Sequence, residues 1–511
     1  MHRMNRSLLA TILVGALVVA GCSSTDDAAN DGPTSTRAES TTTSVPAPPE
    51  LPALRAIRGD QPRIVDDQER QVILRGANLN SLGDYYQGDP DAVPVVPVTD
   101  ADWAEMAAHG FNVVRLLVSW SKLEPERGTF DEEYLATVAD AVDAAAAHGI
   151  YSVVDMHQDA WGKYIASPAG ETCPDGGDPA IGWDGAPEWA TLTDGASTCT
   201  FGSRESSRAV INAWDSFYAN RDGIMDELVR TWEFVVGGLG DRPSIAGYDL
   251  LNEPNVGSGA TPATDQLGRF YDQAITAIRA AEEPLGVDRI VFFEFTVAGQ
   301  PVPNDFTADD NIVFAPHHYG ESIGAIPIEG LFDYLASLAA GYRTALWVGE
   351  YGFFEDTDAA GAKLERYAAK EDALVTAGDA WWQWRQACGD PHSVGRPGGT
   401  SDPVQIHLQT NRCPGDVNGG VNPRWKCLWR PYPRATAGLI TSLDASCDGA
   451  LDYRASTPTP GTIEVWSPGV ADRQPTVAGE GISDIDIAAV AGGFVVSATA
   501  TGDYHVVLSP S

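Results

Sequence analysis

Residues 244–254 read SIAGYDLLNEP, and residues 344–351 read TALWVGEY. Each is a short apolar run closed by a glutamate, Glu253 in the first and Glu350 in the second. Unbroken apolar runs of this length are the pattern of parallel strands buried on both faces. When such strands close into a barrel, the residues at their carboxyl ends face the mouth, where barrel enzymes carry their chemistry. Two carboxylates there can serve one acetal bond, one as proton donor and one as nucleophile. The pair reads as that of a retaining glycosidase.

Outward from these runs, apolar segments alternate with helical ones. Strands are predicted over residues 72–79, 112–118, 151–156, 245–251, 290–294, 312–315, 345–349 and 380–384. Helices are predicted between them, over residues 102–109, 132–148, 223–236, 265–281, 331–340 and 359–376. Alternation of this kind builds βαβ units and a parallel sheet. The most economical closure is an α/β fold of the (β/α)8 TIM-barrel type. A doubly wound sheet is the alternative, but no Gly-x-Gly-x-x-Gly follows an early strand. Two stretches, 157–220 and 385–434, are too long for plain connections and are expected to wall a substrate groove. Beyond residue 444 the helical period gives way to short alternating segments at 462–466, 485–491, 493–500 and 505–508. These predict a small C-terminal antiparallel β-sandwich that braces the barrel. The expected divisions are 51–443 for the catalytic barrel and 444–511 for the sandwich.

The first fifty residues say where the protein works. Arg3 and Arg6 precede an apolar stretch over residues 8–20, the layout of an export signal and too short for a comfortable membrane span. The stretch ends Val19-Ala20-Gly21-Cys22, which resembles a bacterial lipobox, so Cys22 is the expected lipid-bearing first residue after removal of 1–21. Simple secretion is the alternative. Residues 22–50 are rich in Ser, Thr, Ala, Pro and Asp and hold no aromatic residue, a composition that makes a disordered tether. The protein is thus expected on the cell surface or outside the cell, with membrane association through its anchor.

Acidic residues outnumber basic ones by 71 to 33, giving a formal charge of −38 on 511 residues. That balance disfavours nucleic acid and bare anionic lipid as partners. Cys173, Cys199, Cys388, Cys413, Cys427 and Cys447 remain after Cys22, an even number that favours disulfides in an exported protein. Cys173 and Cys199 share one Gly/Pro/Asp-rich insertion and are the favoured pair, with the other four pairing among themselves. Zinc is the competing use of cysteine, but no Cys-x2-Cys spacing with companion histidines occurs, and no metal or organic cofactor is expected.

Around the two glutamates, Asn252 can donate to a sugar hydroxyl beside the scissile carbon. Glu253 needs a raised pKa to hold its proton, whereas Glu350 must be ionised to attack. Arg115 and Tyr319 are the candidates to hold Glu350 in its charged form.

These residues resemble glycoside hydrolase family 5, retaining (β/α)8 enzymes, over roughly residues 60–440. The family's pattern of Arg, His, Asn-Glu, His-x-Tyr, Glu and Trp after successive strands is met in order by Arg115, His157, Asn252-Glu253, His317-His318-Tyr319, Glu350 and Trp382. The resemblance implies Glu253 as acid/base, Glu350 as nucleophile, and the others as sugar-binding residues. Within the family, Asp155-Met156-His157-Gln158-Asp159, the cluster from Arg430 to Ala435 and the terminal sandwich are similar to endoglycoceramidases, which implies a glycolipid substrate cut between glycan and ceramide. Asp159 is a further candidate for a sugar hydroxyl. Of the two histidines only one is expected to face inward, because neighbouring side chains on an extended segment point opposite ways, and the resemblance to the family implies that it is His317 and not His318. Trp382 is favoured over Trp381 and Trp384 as a stacking platform. Trp161, Tyr164, Trp183, Trp189, Trp425 and Trp429 are expected to offer apolar surface to a lipid tail. The chain is expected to act as a monomer. An enzyme of other β-glycosides (a β-glucosidase, endoglucanase or mannanase) and a glycan-binding surface lipoprotein without catalysis are the rival readings.

Overall fold

The computed structural model describes residues 51–85, 94–354, 357–387, 390–394, 408, 421–470 and 473–510. Cys22, the signal and tether, Cys388 and Cys413 lie outside them. Eight parallel strands form the central sheet: β1 (Leu74–Leu79), β2 (Val113–Ser119), β3 (Tyr151–His157), β4 (Ile245–Asp249), β5 (Ile290–Phe293), β6 (Ile312–Phe314, resuming at His317–His318), β7 (Val348–Tyr351) and β8 (Gly378–Trp381). β8 pairs with β1, and Phe314 bridges to Leu346 ahead of β7, so the sheet closes on itself as a (β/α)8 barrel. Helices cover the outside between most strands, for example Glu132–Ala147, Ala260–Glu282 and Asp358–Leu374. The exception is the connection from β5 to β6, which crosses without a helix. No helix among the described residues is long and apolar enough to cross a membrane.

Period-two alternation decides what fills the barrel. On β2, Val114, Leu116 and Val118 pack outward under the helices, while Val113 points in with Val153, Phe292 and Trp347. Two residues up from Val113 the inward position is Arg115, and two further it is Leu117, beside Trp382. The same alternation on β3 carries Asp155 and His157 inward above Val153. The barrel is therefore apolar at its base and charged at its middle layer.

The expected strand over 72–79 divides at Ile73. Val72 belongs to Arg70–Val72, which with Leu54–Ile57 and Arg63–Asp66 joins an antiparallel sheet with the C-terminal strands. Those are β9 (Tyr432–Ala437), β10 (Leu439–Ala445), β11 (Leu451–Pro468), β12 (Thr476–Val490) and β13 (Gly493–Ser509). Pairing within this sheet thus begins ahead of residue 444. β11 changes register between Thr457 and Gly461, one end pairing with β10 and the other with β9. Tyr453, Ile463, Trp466, Val496 and Tyr504 fill the core of this assembly.

Arg430, in the cluster noted in the sequence, joins barrel to sheet. It is buried, donates to Asp372 from Nε at 3.0 Å and pairs with Glu371, both on the helix Asp358–Leu374. Arg434 lies over Trp466 and donates to the Gly110 carbonyl. Cys173 is bonded to Cys199, and Cys427 to Cys447. Read from the sequence as lacking periodicity, the 157–220 insertion nonetheless contains an amphipathic helix, Arg208–Tyr218, whose Trp214 and Phe217 pack on Trp161.

Candidate active site

Arg115 stands fully buried at the centre of the charged layer. Its Nε donates to Asp249 at 2.9 Å, and Nη1 donates to Glu350 at 2.8 Å and to the Asn78 side-chain oxygen at 3.1 Å. Its Nη2 donates to Asn252 Oδ1 at 3.0 Å and Glu294 Oε1 at 3.2 Å, and lies 2.9 Å from Asp155. A planar fork with five N–H groups suits such a crowd, which a lysine's compact charge would not. Burial opposes the guanidinium's charge, but Asp155, Asp249, Glu350 and Glu294 outweigh it and hold its pKa well up.

Glu350, at the end of β7, accepts from Arg115 on one oxygen and from the Tyr319 hydroxyl at 2.9 Å on the other. Glu253 lies just beyond β4 with φ of +41°, a left-handed conformation that a non-glycine residue adopts only when its surroundings impose it. The surroundings do so: Gln158 Nε2 donates to the carbonyls of Asn252 (2.6 Å) and Glu253 (3.0 Å), and the Glu253 amide donates to Glu294 at 3.3 Å. The turn aims the Glu253 side chain across the mouth. One oxygen of Glu253, one of Glu350 and one ring nitrogen of His317 all lie within 4.8 Å of one another. Such a trio could ligate a cation, yet Glu350 already accepts from Arg115 and Tyr319, and Glu253 from Arg204.

His317 faces inward, its Nδ1 2.8 Å from Glu253 and 3.3 Å from Glu350 and its Nε2 3.0 Å from Glu294. His318 points away, onto Phe332 and Tyr367. His157 bonds Asp155 at 2.8 Å and stacks on Trp382 at 5.5 Å. Burial opposes its charge, but Asp155 and Asp159 raise its pKa to about 10. Trp382 reaches the mouth, while Trp381 packs on Trp425 outside the barrel and Trp384 donates to Asp102. Asp159 is tied to Arg204 at 2.5 Å and His392 at 3.2 Å.

The pKa required of Glu253 differs from the expectation. Burial alone would raise it, but His317 at 2.8 Å and Arg204 at 2.7 Å overcome that and draw it down to about 2. The elevated carboxyl is instead Glu294, pushed to about 8 chiefly by burial, with Asp249 nearby also raised to about 6.

Sequence reasoning missed Glu294, Asp249, Arg204 and His392. Glu294 closes the fifth apolar run as Glu253 closes the fourth, so its signal was present. Arg204 and His392 sit in the insertions, where no periodicity marks them. The aromatic residues expected to form a lipid surface need correction: Trp161 is buried against Trp120 and Trp214, Trp189 donates to the Glu124 carbonyl, Trp425 is core, and Trp429 packs on His109. Long insertions need cores of their own, and these side chains supply them. The apolar wall of the cleft comes instead from the segments after β5 and β6. Phe295, Val297, Ile323, Ile326, Leu331 and Tyr334 flank a cavity of about 680 Å³ that also holds Glu253, Glu350 and Trp382. Ile323 and Ile326 are 62% and 55% exposed, large apolar side chains left in solvent at the rim.

A closed parallel barrel with paired glutamates beyond β4 and at β7 defines the class, and the family comparison agrees: residues 65–387 match the cellulase (glycosyl hydrolase family 5) model. The chain belongs to glycosyl hydrolase family 5. A crystal structure of an endogalactoceramidase is similar at 39% identity and a TM-score of 0.83, covering 90% of this chain and all of that one. Endoglycoceramidase I of Rhodococcus hoagii (strain 103S) is 29% identical over 290 residues, 52% of this chain and 53% of that protein. An endoglycoceramidase of Cyanea nozakii is 24% identical over 318 residues, 54% of this chain and 59% of that protein. These matches span little more than half the length of the curated relatives.

Proposed function

We propose that the protein is a retaining β-glycosidase that hydrolyses the glycan–ceramide bond of glycosphingolipids. The observation that carries the first half is the approach of Glu253 and Glu350 to within 4.8 Å. Retaining enzymes hold their carboxyl groups roughly 5–5.5 Å apart, whereas inverting ones leave room for a water between them. Glu350, held in place by Arg115 and Tyr319, attacks the anomeric carbon as Glu253 gives a proton to the leaving oxygen. The glycosyl–Glu350 ester then reacts with water that Glu253 deprotonates, and the sugar leaves with its configuration unchanged. Asn252 and His157 sit beside this centre and, with Trp382, bind the reacting sugar.

The glycolipid half of the proposal is supported by the cleft's shape and by the names of its relatives. One wall is charged and aromatic, suited to sugar hydroxyls; the other, from Phe295 to Tyr334, is apolar and suited to an alkyl chain. We further propose export, with anchoring at Cys22, which would hold the cleft near a membrane that presents such lipids.

Incubating the purified protein with a panel of glycosphingolipids tests the reading. Release of intact oligosaccharide together with free ceramide is expected. Release of monosaccharide only from soluble β-glycans, or no release at all, counts against it. A finer test uses the apolar rim: Ile323→Ser combined with Ile326→Ser removes two large exposed side chains from it. Burying one isoleucine against lipid is worth about 1.5–3 kcal/mol. The double variant is expected to raise KM for glycolipid roughly 10-fold or more while leaving a soluble aryl glycoside within 2-fold. Equal effects on both substrates would remove the rim from the aglycone site.

A further inference from the structure

Arg204 is a cation at the cleft that the two-step reaction above does not use. It comes from a three-residue turn of 3-10 helix, Arg204–Ser206, within the insertion after β3. Its Nη2 reaches Glu253 Oε2 at 2.7 Å and Asp159 Oδ1 at 2.5 Å, its Nε reaches Glu205 at 3.1 Å, and its guanidinium lies 4.6 Å above the Trp183 ring. The other cation on Glu253, His317, is walled in at 5% side-chain exposure, whereas Arg204 is 26% exposed and opens to the cleft. Without Glu253, Arg204 still has Asp159, Glu205 and Trp183, so withdrawing from the glutamate leaves it paired.

Glu253 must change roles within one turnover, from acid in the first step to base in the second. A cation at 2.7 Å opposes the first role and supports the second. We propose that Arg204 is a positioning residue for the hydrolytic half of the reaction: it stands aside toward Asp159 and Glu205 while the aglycone occupies the cleft, and closes onto Glu253 once the aglycone has left. In the second half the glutamate then waits as a carboxylate, ready to take a proton from water as the water oxygen bonds to the anomeric carbon and the Glu350 ester breaks. The low pKa of Glu253 beside Arg204 and His317 agrees with this arrangement. The proposal rests on the assignment of Glu253 and Glu350 made above.

A 2,4-dinitrophenyl β-glycoside of the sugar the wild type releases tests it, because that leaving group departs without a proton and so isolates the second step. For Arg204→Gln, kcat is expected to fall about 10-fold or more, KM to fall in proportion, and kcat/KM to stay within about 3-fold. A burst of dinitrophenolate equal to the enzyme should precede the steady state. Azide, a nucleophile that needs no base, should restore kcat and yield the glycosyl azide. Arg204→Lys, which keeps the charge, should lose less than Arg204→Gln. Loss of kcat and kcat/KM together without burst or azide gain would assign Arg204 a merely structural role and overturn the proposal, as would unchanged kinetics or equal damage in the lysine variant. Glu253→Ala separates the two levels. If azide rescues it, the acid/base assignment stands whatever Arg204 does; if not, that assignment fails first.

Discussion

Glu350→Gln is expected to lower kcat/KM by about 10⁴-fold or more on any substrate, aryl glycoside included, while the protein stays folded. The amide has the shape of the carboxylate but cannot form the glycosyl ester, so the reaction loses its first covalent bond. Folding should survive because Arg115 keeps Asp155, Asp249 and Glu294 as partners, and Tyr319 can still donate to the amide oxygen. Thermal melting alongside the rate measurement makes the test decisive. Hydrolysis within tenfold of wild type by a folded variant would remove Glu350 from the mechanism.

Arg115→Met is expected to have the largest effect on stability. Breaking a buried ion pair by removing one partner costs about 3–5 kcal/mol, because the charge left behind has neither water nor counterion. Here four carboxylates share the one guanidinium. The loss should depend on pH with a definite sign. Asp249 (to about 6) and Glu294 (to about 8) already bind their protons more tightly than in the unfolded chain, where carboxyls titrate near about 4. Groups raised in this way stabilise the fold below the unfolded value, and that contribution is lost as pH rises through about 6 and then about 8. Without Arg115 the carboxylates hold their protons still more tightly, so the deficit relative to wild type should be larger at pH 8 than at pH 5. Melting temperatures of both proteins at the two pH values check this. A pH-independent deficit would mean that lost packing, not stranded charge, is what the variant suffers.

These two residues also show how much of the site the sequence carried. Arg115 stands two positions above Val113 on a strand that reads in the sequence as an apolar run, so the period of a strand puts the two on one face, and the closed barrel makes that face the inner one. The same rule separates Trp382 from Trp381 and His317 from His318. Glu253 and Glu350 close apolar runs, and closure of the barrel is what makes the ends of β4 and β7 neighbours. What a local pattern could not give was the company each residue keeps. The acid expected to hold its proton is the one flanked by two cations, and the carboxyls with raised pKa values are Glu294, just beyond β5, and Asp249 on β4.

The insertions are where reading by pattern ran out. Aromatic residues there were expected on the cleft surface, and most of them instead fill the small cores that let such long segments fold. The apolar wall arises from Ile323, Ile326 and Tyr334, residues unremarkable in sequence. By itself the sequence determined the eight barrel strands in outline and the two glutamates that close the fourth and seventh of them, because these depend on apolar runs and on where each run ends. Only the tertiary structure decided which charges meet, which aromatic side chains are used up in packing, and which face of the cleft is apolar, because proximity across a closed barrel and its loops is a matter of space and not of spacing along the chain.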